Sequence, residues 1–172
     1  SGTSGCTNDG KVMAEHKKAM EEDMDQALSL LEDGLQQRPR GVALHFKLAQ
    51  IHRRYAGFYI RAAERLGDRR TWYQGISTHH QTKAEEHFLK TVELYPTGAL
   101  GRYWLARTID EGGRGDPSTH YKEALRFSEL ARKEGLEGAQ LDPLSKARIL
   151  MRTGRSSEAG PLVRDLIERS LS

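Results

Sequence analysis

Apolar residues recur at three- and four-residue steps along most of the chain, which is the spacing of one face of a helix. The first such run extends from residue 11 to Leu35 and stops before Pro39, and the second extends from Leu44 to Leu66. No stretch alternates apolar and polar residues in the way that a half-buried strand does. The pattern therefore predicts an all-α chain.

Start and stop signals divide the rest of the chain into five further helices, which makes about seven in all. Thr82 and Glu85 have the spacing of a capping box and predict the start of the third helix, after a connection over residues 69–77. Aspartate caps a helix and proline suits its first turn, so each Asp-Pro pair predicts a helix start. The boundaries predicted in the second half are Asp116-Pro117, Gly135, Asp142-Pro143, Gly154 and Ser156.

The length of 172 residues suits one compact domain. Residues 1–10 are small and polar without periodicity, and we expect them to form a flexible tail before a single helical domain over residues 11–172. With 37% hydrophobic and 30% charged residues, the composition is typical of a folded globular protein. Because no apolar run approaches the roughly 18 residues of a membrane span, we expect no transmembrane segment.

The sequence lacks the side-chain patterns that catalysis or metal binding requires. Its single cysteine, Cys6, excludes an internal disulfide, and we assign it no catalytic role. His79, His80 and His87 lack the close spacing of a metal-ligand pair, so solvated surface histidines are the favoured interpretation. The glycines of residues 112–115 precede no Lys-Ser or Lys-Thr pair, which excludes a phosphate-binding loop. We therefore expect no enzyme activity, no metal and no cofactor.

Small residues recur at fixed steps in successive helices, each followed by a proline or glycine that turns the chain. The equally spaced pairs are Ala27 with Pro39 and Ala84 with Pro96, at twelve residues, and Ala106 with Gly113 and Ala147 with Gly154, at seven. Together with the uninterrupted stretch from Leu144 to Val163, this arrangement resembles the tetratricopeptide repeat from about Ala27 to the C-terminus. Residues 119–127 are also similar to the degenerate repeats of the regulator of microtubule dynamics family.

The resemblance implies antiparallel helix pairs stacked as a short right-handed solenoid, a tetratricopeptide-like domain over residues 11–172. The chain departs from the repeat in an insertion at about residues 57–81. We expect the insertion to lengthen one helix pair, leaving two or three degenerate repeats. An unrelated helical bundle with chance spacing of small residues is the alternative.

In the tetratricopeptide family, side chains near the small residue on the first helix of each pair face a ligand. Applied to Ala49, Ala106 and Ala147, this rule predicts a groove formed by Phe46, Gln50, Arg53, Tyr103, Arg107, Leu144 and Arg148. Such a set suits a protein or peptide with acidic residues. Packing of Phe46, Tyr103 and Leu144 between helices is the other interpretation. The resemblance implies a non-catalytic adaptor or scaffold.

Charge is unevenly distributed, although the net charge is only +3. We define the basic strip as Arg54, Arg61, Arg65, Arg69 and Arg70. The first three share a helix face with Phe58, and cations interleaved with aromatic residues suit contacts with phosphates and bases. A weak nucleic-acid or anionic-surface binder is therefore an alternative function, although the small net charge disfavours nucleic acid as partner. An acidic protein partner and a solvated, ion-paired helix face are the other interpretations of the strip.

The first residues leave a further alternative open. Thr-Ser-Gly-Cys, which ends at Cys6, is similar to a lipoprotein processing site, but a lipid anchor there requires an apolar leader before Ser1. The further alternative is a subunit or lipid-anchored component of a larger envelope or organellar assembly, and an apolar leader would favour its lipid-anchored version. The sequence favours the cytoplasm over a periplasmic or membrane-anchored location.

Overall fold

Seven α-helices make up most of the computed structural model, which describes residues 6–65 and 69–171. They are α1 (Cys6–Gln37), α2 (Val42–Arg65), α3 (Arg70–Leu94), α4 (Ala99–Gly112), α5 (Ser118–Lys133), α6 (Pro143–Arg152) and α7 (Ser156–Leu171). A 3₁₀ turn at Glu137–Ala139 lies between α5 and α6, and no strand occurs within the described residues. The prediction of an all-α fold with about seven helices is confirmed.

Each helix packs against its neighbours in the chain. The interface between α2 and α3 is the most extensive, followed by those of α4 with α5 and of α6 with α7. Helix α1 packs on α2 and α3 packs on α4, whereas α5 contacts α6 over a smaller area. Packing between neighbours in chain order is consistent with a repeat-like arrangement. The described helices contain no stretch with the length and apolarity that a bilayer crossing demands.

Local signals in the sequence correctly mark several helix ends. Oδ1 of Asp142 accepts a hydrogen bond of 2.9 Å from the backbone N–H of Ser145 and so caps α6. Asp116 accepts a bond of the same length from the N–H of Ser118 at the start of α5. After α4 the chain turns through Gly113, whose φ of 61° is in the left-handed region that favours glycine.

The first helix is longer than the sequence predicts. Helix α1 begins at Cys6 and is 32 residues long. The prediction of a flexible tail is therefore wrong for residues 6–10, and residues 1–5 lie outside the described residues. The helix ends at Gln37, two residues before Pro39, because proline disfavours a helical conformation in the residue that precedes it.

The third helix also begins earlier than predicted, at Arg70 rather than at Thr82. The Thr82 hydroxyl donates to the carbonyl oxygen of Thr78 at 3.0 Å, as a threonine does inside a helix and not at its start. Most of the predicted connection over residues 69–77 is therefore helical. The expected lengthening at about 57–81 takes the form of two long helices, with 24 residues in α2 and 25 in α3.

Six alanines lie in the core where successive helices meet. They share hydrophobic clusters in three pairs, Ala49 with Ala84, Ala106 with Ala124, and Ala147 with Ala159. None of the six is more than 3% exposed. Because alanine has no side chain beyond Cβ, the paired helices can approach closely at these points.

Histidines and tyrosines fill much of the interface between α2 and α3. The Nδ1 atoms of His45 and His87 lie 3.0 Å apart, and those of His52 and His80 lie 2.9 Å apart. Tyr55 stacks on His80 with ring centroids 4.4 Å apart. We call the whole set the histidine ladder: His45, His52, Tyr55, Tyr59, Tyr73, His80 and His87. The interpretation of His80 and His87 as solvated is wrong, because both are partly buried and paired.

Three histidines of the two pairs have lowered pKa values. Burial, reinforced by the neighbouring histidines, lowers the pKa of His52 to about 4. Burial also lowers the pKa of His80 and of His87. These three histidines are therefore uncharged at neutral pH. Nε2 of His45 donates to the Pro39 carbonyl oxygen at 3.1 Å, and its Nδ1 faces Nδ1 of His87.

Acidic side chains hold α1 against α2. The Tyr55 hydroxyl donates to Oδ1 of Asp25 at 2.5 Å, and the Tyr59 hydroxyl donates to a carboxylate oxygen of Glu21. Burial, followed by these hydrogen bonds, raises the pKa of both tyrosines, so both remain donors. Met24 packs against the same aromatic cluster. The acidic turn of α1 is therefore a docking feature.

Candidate functional site

A groove of about 840 Å³ lies where α1, α2, α3 and α4 meet, and we call it the arginine groove. Its charged lining residues are Asp23, Arg53, Arg54, Arg61, Arg107 and Glu111. The other lining residues are Met20, Met24, Ala56, Gly57, Phe58, Ile60, Ser77, Gln81 and Thr108. Four guanidinium groups and two carboxylates give the lining a charge of +2 beside an apolar wall.

One carboxylate, that of Glu111, binds two of the arginines. Nη2 of Arg53 lies 2.6 Å and 2.7 Å from its two oxygens, and Nε of Arg107 lies 2.7 Å from Oε1. Both guanidinium groups also lie against the ring of Trp104, with Cζ 4.7 Å and 5.0 Å from its centroid. The three charged side chains, which we call the arginine clamp, keep a net charge of +1 on an aromatic support.

The arginine clamp is ionised at neutral pH. Burial acts to raise the pKa of Glu111, but the hydrogen bonds from Arg53 and Arg107 outweigh burial and hold the pKa below its ordinary value. For Arg107, burial acts to lower the pKa and the bond to Glu111 raises it above its ordinary value. Nε of Arg53 is buried and has no hydrogen-bond partner among the described residues.

The other two arginines of the groove, Arg54 and Arg61, are exposed on α2. Neither forms an ion pair within the part of the chain that the structure describes. Phe58, between them in sequence, lines the same groove, as expected from their shared helix face. These two charges are therefore available to an anionic ligand.

The apolar wall of the groove includes two methionines of α1, Met20 and Met24. Their position depends on the docking of α1 through Tyr55 and Tyr59. Methionine is flexible and adapts to irregular apolar surfaces. The wall therefore suits side chains of more than one shape.

The predicted groove residues do not form one surface. Arg53 and Arg107 line the arginine groove, whereas Phe46 packs in the core cluster of α2, α3 and α4. Tyr103 is also buried, and its hydroxyl accepts a bond of 3.0 Å from Nη1 of Arg148. Packing between helices is thus the correct interpretation for Phe46 and Tyr103.

The two remaining predicted groove residues lie elsewhere on the surface. Leu144 is 54% exposed, so the interpretation that it packs between helices is wrong. It does not line the arginine groove, and neither does the half-buried Gln50.

The basic strip divides into two parts. Arg54 and Arg61 line the arginine groove, whereas Arg65, Arg69 and Arg70 are exposed where α2 ends and α3 begins. The structure therefore joins two of the strip's five arginines to Arg53 and Arg107 in one groove. The other three lie at the far end of the helix pair.

Sequence reasoning missed Glu111, Trp104 and the α1 methionines. Trp104 lies three residues before Arg107 and Glu111 lies four residues after Arg107, so all three share a helix face. This spacing could have indicated that Trp104 and Glu111 contact Arg107. The contribution of α1 had no such signal, because it depends on the docking of a distant segment.

The comparisons with known proteins find no matching family model, no matching curated protein and no matching solved structure. Among the described residues, no three histidine, cysteine, aspartate or glutamate side chains converge to hold a metal ion. Function is therefore inferred from the residues and geometry of this chain.

Proposed function

We propose that the chain is a non-catalytic, tetratricopeptide-like adaptor that binds an acidic segment of a partner protein in the arginine groove. The observation that carries the proposal is the charge of the lining, with four arginines against two carboxylates. Because Arg54 and Arg61 lack an ion pair within the described residues, carboxylates of the partner would neutralise them. Apolar side chains of the partner would contact Phe58 and the methionines.

The arginine clamp supports the same proposal. Glu111 fixes two guanidinium groups before any ligand arrives, at separations of 2.6–2.7 Å. A pre-organised cation loses less conformational entropy on binding than a free surface arginine does. The clamp would therefore orient the acidic segment, while Arg54 and Arg61 would supply most of the change in electrostatic energy.

The test compares the wild-type protein with an Arg54→Glu, Arg61→Glu variant. Affinity purification with mass spectrometry would identify the partner, and isothermal titration calorimetry would measure the affinity of its acidic segment. We expect the variant to bind about tenfold more weakly or worse, with an unchanged helical circular dichroism spectrum.

The matched control is a Lys47→Glu, Arg164→Glu variant, which makes the same change in charge at exposed positions that do not line the groove. This variant should keep the wild-type affinity. Undiminished binding by the folded Arg54, Arg61 variant would refute the proposal.

A second candidate, binding of single-stranded nucleic acid, is favoured by the cations at the end of α2 and at the start of α3. Arg65, Arg69 and Arg70 are exposed there, close in sequence to Trp72, which is 55% exposed. Titration with labelled RNA at low and high salt tests it, because each phosphate contact adds about 0.7 to the logarithmic salt slope. An absence of binding at low salt would eliminate this candidate.

A further inference from the structure

A second groove, of about 610 Å³, lies between α5, α6 and α7 and shares no lining residue with the arginine groove. Three leucines contribute to its lining, Leu125, Leu150 and Leu162, and we call it the leucine groove. Five cationic and two anionic side chains also line it, which gives a charge of +3. Its combination of a strong positive charge with branched aliphatic side chains needs a physical explanation.

Two of the five cations are neutralised within the groove. Arg155 binds both carboxylate oxygens of Glu158 at 2.7 Å, and Nε of Arg132 lies 3.0 Å from Oε2 of Glu129. These four side chains cancel in charge. The excess of +3 therefore belongs to the other three cations.

Those three cations are Lys122, Arg126 and Lys146. The side chain of Lys146 is only 15% exposed, yet its Nζ lies 3.9 Å from Oε1 of Glu129, which is beyond hydrogen-bond distance. Glu129 is already bound by Arg132. The ammonium group at the end of this mostly covered side chain is thus only weakly compensated, so a carboxylate of a ligand could pair with it.

Lys122 and Arg126 are exposed four residues apart on α5, a spacing at which like charges repel. Within the described residues neither forms an ion pair, and the Arg126 guanidinium lies 4.6 Å from the centroid of the Phe127 ring. A ligand that carries carboxylates would relieve this repulsion and compensate Lys146 at the same time.

We infer that the leucine groove binds an acidic amphipathic helix of a partner protein. The apolar face of such a helix contacts Leu125, Leu150 and Leu162, and its flanking carboxylates bind Lys122, Arg126 and Lys146. The aliphatic lining favours a peptide over single-stranded nucleic acid, which uses aromatic side chains to stack its bases. The chain then has two separate peptide sites, one on each groove.

The experiment titrates the whole chain against a fluorescein-labelled peptide of about 15 residues, with leucine at every third or fourth position and glutamate beside each leucine. Fluorescence anisotropy should show saturable binding that weakens as salt rises. A Lys122→Glu, Arg126→Glu variant should bind about tenfold more weakly or worse. Lys146→Met, which keeps an apolar stem of similar length, should also weaken binding.

Control proteins separate this site from bulk charge and from the arginine groove. The Lys47→Glu, Arg164→Glu variant should keep the wild-type affinity, and the Arg54→Glu, Arg61→Glu variant should still bind the peptide, losing at most the occupancy that belongs to the arginine groove. If the Lys47→Glu, Arg164→Glu variant lost as much affinity as the Lys122→Glu, Arg126→Glu variant, the effect would come from net charge alone, and the proposal would be overturned. Loss in the Arg54, Arg61 variant without loss in the Lys122, Arg126 variant would place the peptide in the arginine groove and also overturn it.

Control peptides test the two halves of the recognition. Replacing every glutamate by glutamine, or every leucine by serine, should abolish binding. A failure of the labelled peptide to bind the wild-type protein would overturn the proposal. So would tighter binding of a labelled single-stranded RNA in an assay that depends on Lys122 and Arg126.

Discussion

The long pair α2–α3 and the short pair α6–α7 both close on paired alanines, yet the rest of their interfaces is built differently. Around Ala147 and Ala159, the short pair buries Leu150 and packs Leu162 and Val163 against it. The long pair instead packs the histidine ladder, in which facing histidines are joined through their Nδ1 atoms. The packing of the long pair therefore depends on protonation, and that of the short pair does not.

The polar interface of the long pair also contacts the helix α1 that forms one wall of the arginine groove. Tyr55 stacks on His80 on one side and donates to Asp25 of α1 on the other. The polar interior of the long pair is thus continuous with the contacts that hold the methionine wall in place. A core with titratable side chains therefore occurs in the helix pair on which α1 packs.

The largest expected effect on stability is for a substitution in the aliphatic interface of the short pair α6–α7. Leu150 of α6 is 5% exposed, in the hydrophobic cluster that joins α6 to α7. Leu150→Ala should lower the free energy of unfolding by about 3 kcal/mol, because it removes buried methyl groups and leaves a cavity. Urea denaturation at about pH 7.5 and about pH 5 should give the same loss. A loss that differs between the two pH values would contradict the comparison.

Acidification should destabilise the long pair α2–α3. Because the pKa of His52 is about 4 in the folded protein and 6.5 ordinarily, the unfolded chain takes up a proton first as pH falls. The stability that comes from keeping His52 uncharged is fully present above pH 6.5 and is lost as the pH falls from 6.5 to 4. We expect the free energy of unfolding to decrease by about 2 kcal/mol over this range. Hydrogen exchange should accelerate in α2 and α3 before it does in α6 and α7.

A variant with both His52→Leu and His80→Leu provides the control for the acid effect. Replacing both partners by apolar side chains leaves no unpaired ring nitrogen between them, so stability at neutral pH should change little. Its stability should vary less between pH 6.5 and 4 than that of the wild type. Equal acceleration of exchange in both helix pairs would show that the ladder is not the cause.

A smaller effect is expected at the junction of the ladder with α1. Tyr59→Phe removes the hydrogen bond to the Glu21 carboxylate and should lower the free energy of unfolding by about 1 kcal/mol. Exchange of amides in α1 should accelerate more than exchange in α4. Tyr95→Phe, at an exposed tyrosine that makes no contact with α1, is the matched control and should have no effect.

The smallest effect is expected for the polar surface of the short pair. Arg155 binds Glu158 through two bonds of 2.7 Å, but both side chains are exposed to solvent. Arg155→Ala should leave the midpoint of thermal or urea unfolding almost unchanged, because solvent screens an exposed ion pair. A loss of stability as large as that of Leu150→Ala would mean that ion pairs, and not aliphatic burial, hold α6 and α7 together.

Much of the fold could be predicted from the sequence because its signals are local. Proline, glycine and capping aspartates mark helix ends, and the alanine spacing marks where helices approach. Thr82 was misread because its capping-box spacing with Glu85 also occurs inside a continuing helix. Arg53 and Arg107 line the arginine groove together, whereas the part of α1 in it depends on long-range docking.

The pairing in the histidine ladder could not be predicted from either helix alone. His80 and His87 are seven residues apart, and so are His45 and His52, which places each pair on one helix face. Their partnership depends on the register of α2 against α3, with His45 opposite His87 and His52 opposite His80. The equal spacing on both helices was the signal, and it is readable only when both helices are considered together.

That register limits how the gene can change in length. A deletion of one or two codons in α2 alone would rotate the histidines that follow by 100° or 200° at the ordinary twist of an α-helix, and every ladder contact beyond it would be lost. Removing seven residues from each helix at matching positions would shorten the pair by two turns and restore the pairing, since seven residues differ from two full turns by only about 20°. Natural length variants of this helix pair should therefore occur in matched steps of seven residues.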